Sequence, residues 1–240
     1  MTNAGSDVLR VLLLGHGKMG HVIEGLASAY GCEIAGIIDP LSPAHAGGLD
    51  QDRWRRDADV AIDFTTAAAF VENFPRVATL GLNLVVGTTG WASHEPSLRA
   101  LALESGIGVV AAPNFSVGVV LFDAVVAHAA RLFGSRPEFG AWVHEIHHAA
   151  KKDAPSGTAL ALKATMEGAG YPRAIDISAS RAGSVPGVHT VGFDGPFETA
   201  TLIHSVRDRA TFAHGALVAA RWVHGQRGWF TMRDVLGVDG

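Results

Sequence analysis

Residues 143–160 read VHEIHHAAKKDAPSGTAL. This short stretch holds three imidazoles (His144, His147, His148), two ammonium groups (Lys151, Lys152) and two carboxylates (Glu145, Asp153). Imidazole and ammonium groups can deliver protons near neutral pH. Pro155-Ser156-Gly157-Thr158 then precedes a helical pattern running to about Glu167. Pro, Ser and Gly at a helix start leave N–H groups free for a carboxylate or phosphate. The segment suits a small, multiply anionic substrate that must be protonated.

His144-Glu145-Ile146-His147-His148 also fits the H-E-x-x-H zinc pattern. That pattern needs both histidines one turn apart on a stable helix. Residues 138–148 alternate at period 2 about as well as at 3.6, and Asp153-Ala154-Pro155-Ser156 soon interrupts any helix. No metal is expected.

A second chemical feature lies near the start. Gly15-x-Gly17-x-x-Gly20 follows the apolar run Val8 to Leu14 and opens a helical pattern with Val22, Ile23 and Leu26 on one side. The first glycine makes a tight turn, the second lets the backbone approach a pyrophosphate, and the third lets helix and strand pack closely. The helix N-terminus adds free N–H groups and a partial positive charge. Asp39, 24 residues after Gly15, ends the next apolar run, where a carboxylate can hold the adenosine ribose hydroxyls. It would repel a 2′-phosphate, so NADH is favoured over NADPH. Lys18, Arg53, Arg55 and Arg56 could offset that preference.

The elements that must position these groups follow a rhythm. Strand-like runs at Val8–Leu14, Glu33–Ile38, Val60–Phe64, Leu82–Val86 and Ile107–Ala111 each end in small or polar residues. Helical patterns at Ala67–Thr79 and Glu95–Ser105 alternate with them. The whole reads as an α/β, doubly wound, Rossmann-type parallel sheet, with ligands at the carboxyl ends of its strands. After Val117 a helix runs to about Phe133, and Ala174 to Phe212 becomes strand-like. That portion reads as a smaller α+β domain with a mixed or antiparallel sheet, and the antiparallel form is favoured. A helical stretch from Gly215 to Val223 and an apolar tail close the chain.

Bulk properties set the class. The chain has 240 residues, 48% hydrophobic and 18% charged, and a net charge of -4. It is globular, and no long basic run suggests a nucleic-acid partner. Cys32 is the only cysteine, so no intramolecular disulfide can form and a cytoplasmic setting is expected. Met1 to Asp7 lacks the basic and apolar regions of a signal peptide. The longest uncharged window, Ser105 to Phe122, carries Pro113, Asn114 and Ser116 and reads as strand plus loop, so no membrane association is expected. Of 19 basic residues only four are lysines, and Lys18, Lys151 and Lys152 lie within the two motifs.

Glu145 to Ala159 resembles the signature E-x-H-H-x-x-K-x-D-A-P-S-G-T-A of the dihydrodipicolinate reductases, also called 4-hydroxy-tetrahydrodipicolinate reductases, at every fixed position. The resemblance extends to Gly15–Gly20, to Ile62-Asp63-Phe64-Thr65, Gly87-Thr88-Thr89-Gly90 and Asn114 to Val119, and to Thr211 to Ala216 and Met232 to Leu236. It implies an NAD(P)H-dependent oxidoreductase of diaminopimelate and lysine biosynthesis. Hydride would reach ring C4 of a cyclic dicarboxylate, with His147 as proton donor and Lys151 as second acid. His148 and the backbone of Gly157 and Thr158 would hold substrate carboxylates. Gly15, His16, Gly17, Lys18, Met19, Gly20 and Asp39 would bind the cofactor, with Gly87, Thr88, Thr89, Ala112, Pro113, Asn114 and Phe115 bordering its nicotinamide. The resemblance further implies a homotetramer built through the second domain's sheet. The nucleotide domain would be discontinuous, residues 1–115 and 209–240, around a substrate and oligomerisation domain at 116–208.

Two departures stand out. The glycine loop is compact and the segment after Asp39 is short, and Ala149-Ala150 stands where the family often has basic residues. Arg181, Gly183 and His189 could border the substrate, whereas His144 reads as structural and Lys152 as a solvated neighbour. A dehydrogenase of other specificity would have no reason to keep the long motif. A dinucleotide sensor without activity would be expected to have lost its proton-donor residues.

Overall fold

The structure, a computed structural model, describes residues 8–45, 47–49 and 52–238. Residues 1–7, read above as a lead-in without a signal peptide, lie outside the described residues. The chain divides into two compact units. One runs to Val117 and resumes at Ala210, and the other is Gly118–Arg209.

The first unit is built on a parallel sheet. Its elements are β1 (Leu9–Leu14), α1 (Lys18–Leu26), β2 (Cys32–Ile38), α2 (Trp54–Asp57), β3 (Val60–Asp63), α3 (Ala67–Leu80), β4 (Asn83–Val86), α4 (Glu95–Ser105) and β5 (Gly108–Ala111). Five further strands and four further helices follow along the chain: α5 (Val117–Gly134), β6 (Gly140–His147), α6 (Gly157–Gly168), β7 (Ile175–Arg181), β8 (Val188–Asp194), β9 (Thr199–Ser205), α7 (Ala210–Val223), and α8 (Met232–Leu236) after the short β10 (Gly228–Phe230). The six strands of the first unit lie in the order β10-β5-β4-β3-β1-β2, all pairs parallel. The chain turns outward from β1 to β2, then crosses to β3 on the other side. That reversal leaves a crevice beyond the carboxyl end of β1, where the glycine loop sits.

Burial explains why the central strands read as continuous apolar runs. Val11, Leu12, Leu13, Val60, Ala61 and Ile62 are fully buried, because helices cover both faces of such a sheet. Phe70 and Phe74 of α3 pack with Leu12, Leu84 and Trp91 on one side. Each such side chain contributes roughly 1.5–3 kcal/mol by leaving water. On α7, Gly215 rests on the carbonyl of Phe115, a position no Cβ could share.

Two features of this unit differ from the sequence reading. The tail after Val223 contains a sixth strand, β10, paired in parallel with β5. The polar stretch 42–57 contains the short helix α2, whose Trp54 is buried beneath Gly36.

The second unit has a four-stranded sheet in the order β7-β6-β8-β9. β6 pairs antiparallel with β8, and β8 with β9, but β6 and β7 are parallel. The sheet is therefore mixed, one of the two forms expected, rather than wholly antiparallel. The cause is α6, which carries the chain back across the sheet between β6 and β7, as a parallel pair requires. One face of the sheet, with Val143, Val191 and Phe193, packs against Val126 and Ala130 of α5 and Leu162 and Met166 of α6. On the other face Ser178, Thr201 and Ile203 are exposed.

Candidate active site

The HEIHH segment is the end of a strand. Burial along β6 alternates strictly from Ala141 to His147. Ala141, Val143, Glu145 and His147 therefore share the covered face, and His144 points the other way. His144 Nδ1 pairs there with Ser178 Oγ at 2.7 Å. The two histidines of an H-E-x-x-H helix are thus not presented to one metal. Instead, the i, i+2 spacing of a strand puts Glu145 beside His147.

Glu145 is completely buried, and its carboxylate is fully used. Oε1 accepts Arg181 Nη2 at 2.7 Å and the Ser156 amide at 3.0 Å. Oε2 accepts His147 Nδ1. Burial alone would raise this carboxyl, but the hydrogen bonds from Arg181, Ser156 and His147 outweigh it and hold it below the usual value. His147 is lowered chiefly by burial, a shift that Glu145 opposes and that Lys151 and Arg181 reinforce. Its Nε2 carries no hydrogen bond among the described residues, and a Cβ on Gly187 would lie 3.0 Å from it.

Behind His147 lies His189, 3% exposed, with ring centroids 5.1 Å apart. Its Nε2 lies 3.2 Å from Ser156 Oγ, and its Nδ1 is buried without a partner among the described residues. Ser156 Oγ also accepts the Ala159 amide at 3.3 Å, so its own proton is directed to His189. Burial, reinforced by the charge of His147, pushes the His189 imidazole down to about 4, so it is neutral at physiological pH. Glu145, His147 and His189 bring three ligand atoms within 4.8 Å of one another. A divalent cation there would face the guanidinium already bonded to Glu145, so we read the cluster as a hydrogen-bonded one.

Ser156 caps α6, and the amides of Gly157 and Thr158 begin its first turn. A Cβ on Gly157 would meet nothing within 4 Å, so the turn is open to an approaching anion. Lys151 Nζ lies 2.7 and 2.9 Å from the two oxygens of Asp153. Arg181 also donates to the Asp153 carbonyl. His148 follows the end of β6, half-buried, and its carbonyl accepts the Lys151 amide. Of the expected residues, His147 bonds this carboxylate directly, Gly157 and Thr158 follow the Ser156 whose amide bonds it, and Lys151 is close enough to act on the charge of His147. Sequence reading gave that carboxylate no role, although the strand alternation of β6 was the available signal. Arg181 and His189, marked only as possible neighbours, are bonded into the same network, whereas Gly183 offers its carbonyl to the Ala149 amide.

The first unit holds the other group of expected residues. Gly15 has φ +86°, and a Cβ would sit 2.7 Å from the Phe64 carbonyl. Gly20 lies against the carbonyl of Gly15, while nothing approaches a Cβ built on Gly17. Two glycines therefore close the turn and the third leaves room above it. Gly17 precedes α1 without any side-chain cap, so Lys18 and Met19 open the helix with free amides. Asp39 Oδ2 accepts the His16 amide and Oδ1 the Leu41 amide, and these bonds hold its carboxyl below the usual range. The residues present fit a dinucleotide: an open, uncapped helix start beside an ionised acid.

Thr88, Thr89, Ala112 and Pro113 line one cleft with Trp91 and Trp229. Asp63 fixes one wall of it. Its Oδ1 accepts Thr65 N, Thr65 Oγ1 and Thr88 Oγ1, which ties the end of β3 to the segment after β4. Burial pushes the Asp63 carboxyl up. Gly87 lies against the Phe64 ring. Asn114 Oδ1 accepts the Ser116 amide, a local turn contact, and the Phe115 side chain is buried against Phe64.

Comparison with known proteins identifies one family over most of the chain. The family model "Dihydrodipicolinate reductase, N-terminus" matches residues 9–115, and "Dihydrodipicolinate reductase, C-terminus" matches residues 118–236. The chain is 41% identical to the 4-hydroxy-tetrahydrodipicolinate reductase of Myxococcus xanthus, over 97% of this chain and 93% of that one. It is 40% identical to the enzyme of the same name from Methanoculleus marisnigri, over 90% and 98%. Among solved structures, the dipicolinate-bound dihydrodipicolinate reductase of Paenisporosarcina sp. TG-14 superposes with a TM-score of 0.80 at 24% identity, covering 93% of this chain and 97% of that one.

Proposed function

The chain belongs to the dihydrodipicolinate reductase family, and from that membership we propose that it reduces 4-hydroxy-tetrahydrodipicolinate, by way of dihydrodipicolinate, to tetrahydrodipicolinate in diaminopimelate and lysine biosynthesis. It is an oxidoreductase that uses a nicotinamide cofactor. The observation that carries the reading is the meeting of a proton donor and an anion cradle on Glu145. His147 hangs on one carboxylate oxygen and the first turn of α6 on the other.

The chain's own residues divide the work. The amides of Gly157 and Thr158, with His148, hold a substrate carboxylate. His147 donates its Nδ1 proton to Glu145 as a hydrogen bond, so Nε2 is the nitrogen that gives up a proton. Reduction of a conjugated imine builds negative charge, which a proton from His147 or Lys151 neutralises. Lys151 must leave Asp153 to act, and an arriving dianion competes for it.

A bound reduced nicotinamide supplies the hydride. Gly15, His16, Gly17, Lys18, Met19 and Gly20 would cradle the pyrophosphate, with the nicotinamide bordered by Gly87, Thr88, Thr89 and residues 112–115. Asp39 would hold the ribose hydroxyls, which favours NADH. Of the cations that could offset it, Arg53 lies over Trp54 and Arg55 lies 3.7 Å from Asp52. The exposed sheet face with Ile203 supports assembly of a homotetramer through the second unit. A chain with one cysteine fits the cytoplasm.

The test is a coupled assay. The substrate is generated in place from pyruvate and aspartate semialdehyde by the upstream synthase, and loss of reduced-nicotinamide absorbance is followed with NADH and NADPH separately. Rapid loss, faster with NADH, is expected. No loss with either cofactor, from protein that binds nucleotide, would overturn the assignment.

A further inference from the structure

Glu145 is the one carboxylate on the covered face of β6, and no solvent reaches it. A buried charge of this kind is retained only when its bonds are worth its desolvation. Its partners come from three places. Arg181 reaches it from β7, His147 from β6 itself, and the Ser156 amide from the start of α6.

We propose that Glu145 is the positioning residue of this site, fixing through Oε2 which nitrogen of His147 carries the transferable proton and holding through Oε1 the helix turn that receives the substrate carboxylate. The proposal rests on His147 as the proton donor and adds the group that makes it one.

The chemistry follows from the geometry. An imidazole with Nδ1–H bonded to a carboxylate has only Nε2 left for exchange. The same carboxylate stabilises the imidazolium, the form that can donate. Every other influence on His147 opposes that form. Burial does so, and so do Lys151 from the loop before α6 and Arg181 from β7. His189 from β8 is neutral and adds no counter-charge. Asp153, the remaining nearby acid, is taken up by Lys151. Glu145 is thus the group that keeps a protonated His147 within reach. Through Ser156 it also sets where the Gly157 and Thr158 amides stand, so donor and cradle move together.

The test compares the wild type with Glu145→Gln and Glu145→Asp. As a general acid, His147 gives a kcat/KM that falls as pH rises through its titration. In Glu145→Gln that fall is expected to move about one to three pH units lower, because an opposing charge has been removed. Turnover at pH 7.5 should drop by roughly 10²-fold and KM should rise, since the cradle loses its anchor. Glu145→Asp keeps the charge at a greater distance, so its fall should lie between the other two. Imidazole ¹⁵N–¹H resonances, assigned with His147→Gln, report the same titration without turnover, and hence stand even if the substrate assignment fails. A folded Glu145→Gln protein with an unmoved titration and unchanged KM would overturn the proposal. If the Gln variant does not fold, an Asp variant with the wild-type titration would overturn it equally.

Discussion

Asp39 Oδ2 accepts the backbone N–H of His16 at 2.7 Å, so the acid at the end of β2 is tied to the loop that follows β1. Its other oxygen takes the Leu41 amide at 2.9 Å. One carboxylate therefore shapes the glycine turn, and in the proposed function it also meets the cofactor's ribose. Asp39→Ala is expected to lower kcat/KM for NADH about tenfold or more, in line with loss of a charged hydrogen bond. NADPH, freed of repulsion at its 2′-phosphate, should lose much less. Equal losses for both cofactors would mean that Asp39 acts only on the loop.

Lys151 and Asp153 form a two-oxygen ion pair at the site's rim. Lys151→Ala is expected to lower kcat and raise KM together, because it removes both an acid and a cation that meets the dianion. Asp153→Asn should do neither to that extent, since it releases Lys151 without deleting it. Steady-state kinetics of the two variants separate the roles, and normal kcat and KM in Lys151→Ala would refute its part.

Gly187 leaves His147 Nε2 uncovered. A Cβ there would lie 3.0 Å from that nitrogen, closer than nearly all real contacts. Gly187→Ala is expected to slow turnover roughly tenfold or more by displacing or shielding the donor. Nucleotide binding, measured by cofactor fluorescence, should be unaffected, because the loop belongs to the other unit. Full activity would show that the proton leaves by another route.

His189 makes stability depend on pH. Its imidazole is held near 4 in the folded protein against an ordinary 6.5, so the unfolded chain binds more protons between those values. Stability contributed by the neutral ring is complete above about pH 6.5 and is lost as pH falls toward 4. The full loss is about 3 kcal/mol. In urea unfolding at pH 7 and pH 4, His189→Asn should lose less stability than the wild type by about that amount. Identical losses would contradict a neutral, buried His189.

Much of this was legible in the sequence, for physical reasons. β1, the glycine turn and Asp39 could be read because each has a local signature: an apolar run, positive-φ glycine, a strand-end acid. The helix over Glu95–Ser105 has the bounds that its periodicity suggested. What escaped depends on partners distant in sequence. β10 is three residues long, too short for any periodicity, and becomes a strand only by pairing with β5. The direction of β7 is set by the return through α6, which alternation within β7 cannot express. The Arg181–Glu145 bond joins residues 36 apart, and no spacing announces it. The HEIHH segment was ambiguous because period 2 and period 3.6 coincide over so few residues. Pairing on both sides, with β7 and β8, decided it as a strand.

In the proposed reaction, His147 gives up the proton as a nicotinamide cofactor reduces the cyclic dicarboxylate. The most direct measurement compares wild type and His147→Gln in the coupled assay with NADH, alongside their affinities for the cofactor. Nucleotide affinity is expected to be unchanged and turnover to fall by roughly 10²–10⁴-fold, the usual worth of a general acid. Wild-type turnover in the variant would contradict it.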